Sequence, residues 1–204
     1  MPRAIDQILE SDFRNPLGLL SDCHRRIERF LEGLIVISEQ AQENKLNDLQ
    51  RQQFEVALRY FRDAGSNHTL DEEESLFPRL RARQNSESQA AFALLDSLHA
   101  DHTEVEIRHR EVDDLGLAWL ADERLSPDNT RILISLLKDL RTTYEKHLAV
   151  EDHELFPFAE KTLDRAELEA IGQEMAARRG LVVSRAHHKD EELQRSAHAA
   201  PGAR

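Results

Sequence analysis

One short segment occurs twice in this sequence, and its recurrence limits the folds that the chain can adopt. In each copy a His is followed four residues later by a Glu and nine residues later by a Phe-Pro pair. The copies, 79 residues apart, are His68, Glu72 and Phe77-Pro78, then His147, Glu151 and Phe156-Pro157. A further His stands 44 or 45 residues upstream of each copy, at His24 and His102. The spacing indicates two copies of one unit, which we interpret as a helical hairpin.

Composition favours helices and excludes several classes of function. Leu, Ala, Glu, Arg and Gln are abundant, Gly is scarce, and we find no run of alternating β-branched residues. The net charge of −12 argues against nucleic acid and against anionic membrane surfaces as partners. No apolar run approaches the roughly 20 residues that span a bilayer, and the N-terminus lacks a signal-peptide core. The single Cys23 fits a reducing compartment, so we expect a cytoplasmic protein.

Hydrophobic periodicity predicts an all-α fold: an up-down-up-down antiparallel four-helix bundle with a short N-terminal segment and a fifth, C-terminal helix. Pro16 starts the first long helix, and Gly65-Ser66-Asn67 is expected to kink or interrupt the second. Ser126-Pro127 starts the fourth, and Asp164 with Glu167 forms a capping box for the fifth, which Gly180 closes. The expected units are 1–15 (N-terminal segment), 16–160 (bundle), 161–180 (C-terminal helix) and 181–204 (loosely ordered tail).

The six repeated residues are expected to meet inside this bundle. Each of the four histidines lies on the apolar stripe of a different helix. Counted from the turns, their positions along the helices differ by one to three residues, which amounts to a few Å at about 1.5 Å per residue. The spacing of four residues then places Glu72 beside His68 and Glu151 beside His147.

Such a cluster predicts a metal site. An isolated His on an apolar stripe is usually a hydrogen-bonded core residue, but four imidazoles and two carboxylates at one level cannot remain unpaired without a large desolvation cost. A single tetrahedral zinc would leave ligands unused. Two six-coordinate ions, with the two Glu as bridges, would use all of them, and nitrogen and carboxylate donors with open positions suit iron, then manganese.

The pattern of a His, a His-x-x-x-Glu, a second His and a second His-x-x-x-Glu, with Leu-Phe-Pro after each pair, resembles the hemerythrin-like cation-binding family over about residues 16 to 160. The resemblance implies a non-haem centre of two iron ions with an oxo or hydroxo bridge, manganese being possible, which meets O2, NO or peroxide. Carried over by position, its metal ligands are His24, His68, Glu72, His102, His147 and Glu151. The oxygen-carrying members of the family have a further His where this chain has Glu106, and an Asp where it has Asp152.

Three functions remain open from the sequence. The first is metal binding with a role in iron, oxygen or nitrosative and oxidative stress sensing or handling. The second is an enzyme that turns over peroxide or NO at the same centre. The third is a metal-gated scaffold for a protein partner that the sequence does not identify. We expect Glu73 and Asp152 to lie outside the ligand set, His109 to be a core residue, and Tyr144 either to donate a hydrogen bond into the site or to pack in the core.

Overall fold

A computed structural model describes residues 11–83 and 88–182. This part of the chain is helical throughout its regular elements and contains no strand. Residues 1–10 of the predicted N-terminal segment and residues 183–204 of the predicted tail lie outside the described residues. Over the described ranges, no helix has the length and apolar character needed to cross a membrane.

The first helix runs over Pro16–Ala41, as the proline predicted. Asn15 caps it by accepting a hydrogen bond from the Gly18 amide, which satisfies one of the free N–H groups of the first turn. The predicted apolar stripe is buried, and His24 is only 2% exposed within it. The helix therefore turns the first candidate ligand inward.

The second helix occupies residues 48–81 and changes geometry several times. It consists of Asp48–Tyr60, Phe61–Gly65, Ser66–Leu70, Asp71–Leu76 and Phe77–Arg81, of which the second and fourth segments are π-helical. The predicted break at Gly65-Ser66-Asn67 takes another form, because Gly65 keeps helical angles (φ −62°, ψ −47°) and the chain passes there from π to α geometry. The helix is therefore continuous on both sides of His68.

The third and fourth helices form the second hairpin. The third spans Ser88–Asp122, and the fourth consists of Pro127–Val150, the π segment Glu151–Leu155, and Phe156–Thr162. The Ser126 hydroxyl accepts from the Asn129 amide, which confirms the predicted start signal.

A shorter C-terminal helix, Arg165–Arg178, follows with the predicted capping box at Asp164 and Glu167. Gly180 adopts a positive φ of 68°, the conformation that glycine provides at a helix end. This helix packs on the first helix and on the π segment Asp71–Leu76. The backbone at Phe13 passes so close to Gly172 that a Cβ at position 172 would collide with the Phe13 carbonyl oxygen.

The long helices pack as a bundle in which the first contacts the second and fourth, and the third contacts the fourth and second. Two apolar clusters fill its interior. One includes Ile27, Phe54 and Trp119, and the other includes Leu20 and Leu76. Since His24 lies between Leu20 and Ile27 on the first helix, the candidate ligands occupy the layer between the two clusters.

Candidate metal centre

The structure brings all four predicted histidines together, one from each long helix. The rings of His24 and His68 lie 5.0 Å apart between centroids, nearly perpendicular. The Nε2 atoms of His102 and His147 lie 3.1 Å apart. The first hairpin thus supplies one pair of imidazoles and the second hairpin supplies the other.

Glu72 and Glu151 connect the two pairs. Glu151 lies 3.2 Å from Nε2 of His24 and 3.1 Å from Nε2 of His147. Glu72 lies 3.6 Å from Nε2 of His68 and 3.4 Å from Nε2 of His102. Each fully buried carboxylate therefore contacts one imidazole of each hairpin, the position that a bridging ligand requires.

The duplication extends to the backbone. Glu72 lies in the π segment Asp71–Leu76, and Glu151 begins the π segment Glu151–Leu155. π turns inside α-helices are rare and concentrate at functional sites. The two helices thus depart from α geometry at the same point of the repeated motif.

The Phe of each Leu-Phe-Pro motif covers an imidazole of the opposite hairpin. Phe156 stacks on His24 with a centroid distance of 5.4 Å, and Phe77 stacks on His102 at 6.0 Å. These rings close the cluster on the side of the second apolar cluster and explain why the motif repeats beyond the ligands.

Protons on some residues of the cluster offset the negative charge on others. Burial raises the pKa of Glu72 to about 7, and the nearby charge of Glu151 adds to the increase. Burial opposes ionisation of Glu151 as well, but its close contacts with His147 and His24 lower its pKa. Burial alone would lower the pKa of His24, yet its contacts with Asp152 and Glu151 raise it to about 10. A bound cation would take the place of these protons.

The donor atoms themselves test whether a cation fits. The ring nitrogens of His24 and His68 and both carboxylate oxygens of Glu72 and Glu151 are buried without a well-aligned hydrogen-bond partner. Buried polar atoms are rarely left in this state. Two groups have donor atoms within 4.8 Å of one another: His24, His68, Glu72 and Glu151, and His102, His147 and Glu151. The residues present therefore fit metal ions, with Glu151 common to both groups.

Carboxylates outside the ligand set support two imidazoles of the second hairpin. His102 Nδ1 donates to Glu73 at 2.7 Å, and His147 Nδ1 donates to Asp101 at 3.2 Å. Such bonds fix the tautomer and the ring orientation of a metal-binding histidine. Sequence reasoning missed Asp101; the available indication was its place directly before His102.

The first hairpin has weaker support. His24 Nδ1 lies 3.1 Å from Asp152 but without hydrogen-bond alignment. His68 Nδ1 has no partner within the described residues. Glu73 and Asp152 therefore contact ring nitrogens of candidate ligand histidines and belong to neither candidate donor group, as the sequence predicted.

Other residues that the sequence singled out lie away from the centre. Glu106 is exposed and pairs with Arg110 at 3.2 Å, so it is not a ligand. Tyr144 hydrogen-bonds His109 at 2.9 Å. Burial lowers the pKa of His109 to about 4, which agrees with the predicted core histidine.

Residues 15–159 match the family described as the hemerythrin HHE cation-binding domain. The chain belongs to the hemerythrin family. The matched range contains all six candidate ligands and ends within two residues of the second Phe-Pro pair, so the hemerythrin domain coincides with the four long helices. A comparison with curated proteins gave no match.

Proposed function

We propose that this hemerythrin domain binds two iron ions, joined by an oxo or hydroxo bridge, through His24, His68, Glu72, His102, His147 and Glu151. The observation that carries the proposal is the pair of donor groups that share Glu151, with buried atoms that lack other partners. Manganese is the alternative metal, since nitrogen and carboxylate donors without a thiolate suit both ions.

The proposed centre keeps an open coordination position for O2, NO or peroxide. The group at His102, His147 and Glu151 offers three donors against four in the other group, which supports an open position on the second hairpin. When bound, iron supplies the redox chemistry that protein side chains lack. We infer a role in iron, oxygen or stress sensing or handling, in the cytoplasm, without nucleic acid or membrane as a partner.

We also infer that the four long helices alternate in direction. Each helix contacts its sequence neighbour, and the first contacts the fourth. This is the contact pattern of an up-down-up-down bundle with short connections.

Elemental analysis after anaerobic, chelator-free purification tests the proposal. We expect about two iron or manganese ions per chain and an absorption spectrum of the oxidised protein that changes with azide or peroxide. The variant His147→Ala should lose metal, whereas His153→Ala, an exposed His on the same helix, should keep it. A wild-type protein with well under one ion per chain would refute the proposal.

A second function, turnover of peroxide or NO at the same centre, is favoured by a cavity of about 340 Å³ that reaches His102. We expect a turnover rate above that of free iron which disappears in His147→Ala and persists in His153→Ala. Equal rates in the two variants would exclude enzymatic turnover and leave the metal-binding function.

A further inference from the structure

The cavity beside His102 leads to one edge of the proposed centre. Its walls come from the second helix at Phe61 and Gly65 and from the third helix at Val105. His102 is also the most accessible ligand histidine, with 9% of its side chain exposed against 3 to 5% for the other three. The more open donor group and the cavity therefore lie on the same side.

One part of the cavity wall is uncharged. Tyr144 and His109 line it and hydrogen-bond each other at 2.9 Å. Because burial lowers the pKa of His109 to about 4, its imidazole is neutral near pH 7. Burial also raises the pKa of Tyr144, so its hydroxyl stays protonated. A molecule in this space meets a hydrogen-bonding surface without charge.

The carboxylates of the remaining polar wall are paired. Glu73 lies 2.9 Å from Nδ1 of His99 and 2.7 Å from Nδ1 of His102, and Glu106 pairs with Arg110 at 3.2 Å. Among the described lining residues no Lys or Arg is present to attract an anion, so the wall favours an uncharged molecule. The volume is several times the share of liquid volume of one water, about 30 Å³, so a diatomic molecule or peroxide fits easily.

Gly65 leaves space on the cavity wall. Counted by the 79-residue repeat, Gly65 is the counterpart of Tyr144, three residues before the ligand His in each hairpin. Its helical angles suit any residue, and glycine inside a helix is less stable than alanine. A Cβ at this position would lie 3.7 Å from Cδ1 of Phe61, an ordinary contact with another wall residue. A larger side chain would therefore fit the backbone and fill the cavity.

We propose that this cavity is the route by which a small uncharged molecule reaches the His102 edge of the centre, and that Gly65 keeps the route open. The inference rests on the proposed metal-binding function, since the route leads to the metal. Beyond metal binding, the inference specifies the side from which a ligand enters and that this ligand is uncharged.

The variant Gly65→Phe tests the route with Gly33→Phe as its matched control. Gly33 lies in the first helix, and a Cβ there would meet nothing within 4 Å. Crystals of the metal-loaded protein under xenon pressure should show xenon beside Gly65 and Val105 in the wild type and in Gly33→Phe. Xenon should be missing in Gly65→Phe. The association rate of NO, followed by absorption, should fall about tenfold or more in Gly65→Phe alone, at unchanged metal content.

Each outcome decides one question. A metal-loaded wild type without xenon at Gly65, or equal NO association rates in the two variants, would overturn the inference and leave the proposed function standing. A xenon site in a protein that holds no metal would overturn the proposed function and the route with it. Loss of xenon together with slower NO association in Gly65→Phe supports the route.

The charge class has its own test. Glu106→Gln removes an exposed carboxylate at the cavity and takes this partner from Arg110, without touching a candidate ligand. At low ionic strength we expect azide, an anion, to associate about two to three times faster in this variant while the rate for NO is unchanged. An unchanged azide rate would overturn the preference for uncharged molecules.

Discussion

The two hairpins carry the same candidate ligands but differ in what surrounds them. Each supplies two histidines, one buried carboxylate, a π segment beside that carboxylate and a phenylalanine that covers the other hairpin's imidazole. The residue before the upstream His is Asp101 in the second hairpin and Cys23 in the first. Asp101 orients His147, whereas Nδ1 of the corresponding His68 has no hydrogen-bond partner among the residues that the structure describes. The two copies of the repeat therefore share their candidate ligands and differ in the residues that support them.

The C-terminal helix enlarges this difference. Asp71, buried beside Glu72, binds Arg178 and Arg179 at 2.8 Å each. Its counterpart in the repeat is Val150, which packs among apolar residues. The first hairpin is thus held from outside by ion pairs with another helix, and the second is ordered from within by carboxylates on its own imidazoles.

The largest expected effect concerns the carboxylate that the two halves share. Because Glu151 belongs to both donor groups and Glu72 to one, Glu151→Gln should remove nearly all metal. Glu72→Gln should retain about half of the wild-type content, in the second-hairpin position. Metal per chain by elemental analysis measures both. Equal losses would show that the two carboxylates are equivalent and would break the comparison.

The anchor of the first hairpin comes next. Asp71→Val copies the residue of the second hairpin and removes the charged hydrogen bonds to Arg178 and Arg179, which keep Ser75 and the Met175 carbonyl as partners. The free energy of unfolding should therefore fall by about 1.5 to 3 kcal/mol. Urea unfolding of the metal-loaded protein measures the loss. Arg165→Ala, which breaks an exposed pair with Glu169 on the same helix, should cost less than about 1 kcal/mol. Similar losses in both variants would mean that the Asp71 contacts contribute little.

Support of the imidazoles predicts a smaller effect. Asp101→Ala should weaken metal binding by about 10- to 100-fold through the loss of His147 orientation. Cys23→Ala, at the matching position of the first hairpin, should leave the affinity unchanged. Competition with a coloured chelator gives both values. A loss in Cys23→Ala as large as in Asp101→Ala would show that the first hairpin is supported through its cysteine.

Much of the fold was predictable because it depends on local chemistry. Pro16, Ser126 and the capping box at Asp164 mark helix starts that the structure confirms. Likewise, the periodic apolar stripes predicted that the six repeated residues would lie at the same height along the bundle. Assignment of those residues as metal ligands, like the domain boundaries, stays a prediction.

The rest depends on contacts between distant segments. The hydrogen bond from His147 to Asp101 joins two helices 46 residues apart, and Asp71 meets arginines more than 100 residues away. Among many acidic residues, periodicity does not distinguish these two. The π geometry at Gly65 was also beyond reach, since a glycine near Ser and Asn favours a break in isolation and only packing keeps the helix continuous.

The smallest expected effect concerns His109 of the second hairpin. The upstream histidines His24 and His102 are 78 residues apart, and by the same offset the counterpart of His109 in the first hairpin is the apolar Leu31. Burial lowers the pKa of His109 to about 4 from its usual 6.5, so the unfolded chain binds this proton more readily than the folded protein. Stability from this group is therefore present near pH 7 and is lost as pH falls from about 6.5 towards 4, by about 2 kcal/mol at pH 5.

The variant His109→Gln has no group that titrates at this position. Between pH 7 and pH 5 the free energy of unfolding of the wild type should therefore fall by about 2 kcal/mol more than that of His109→Gln. Urea unfolding at pH 7 and pH 5 measures the difference, with His153→Gln, an exposed histidine, as the control. If the wild type and His109→Gln lose equal stability between these pH values, His109 is not held neutral, and the cavity wall that it shares with Tyr144 carries charge.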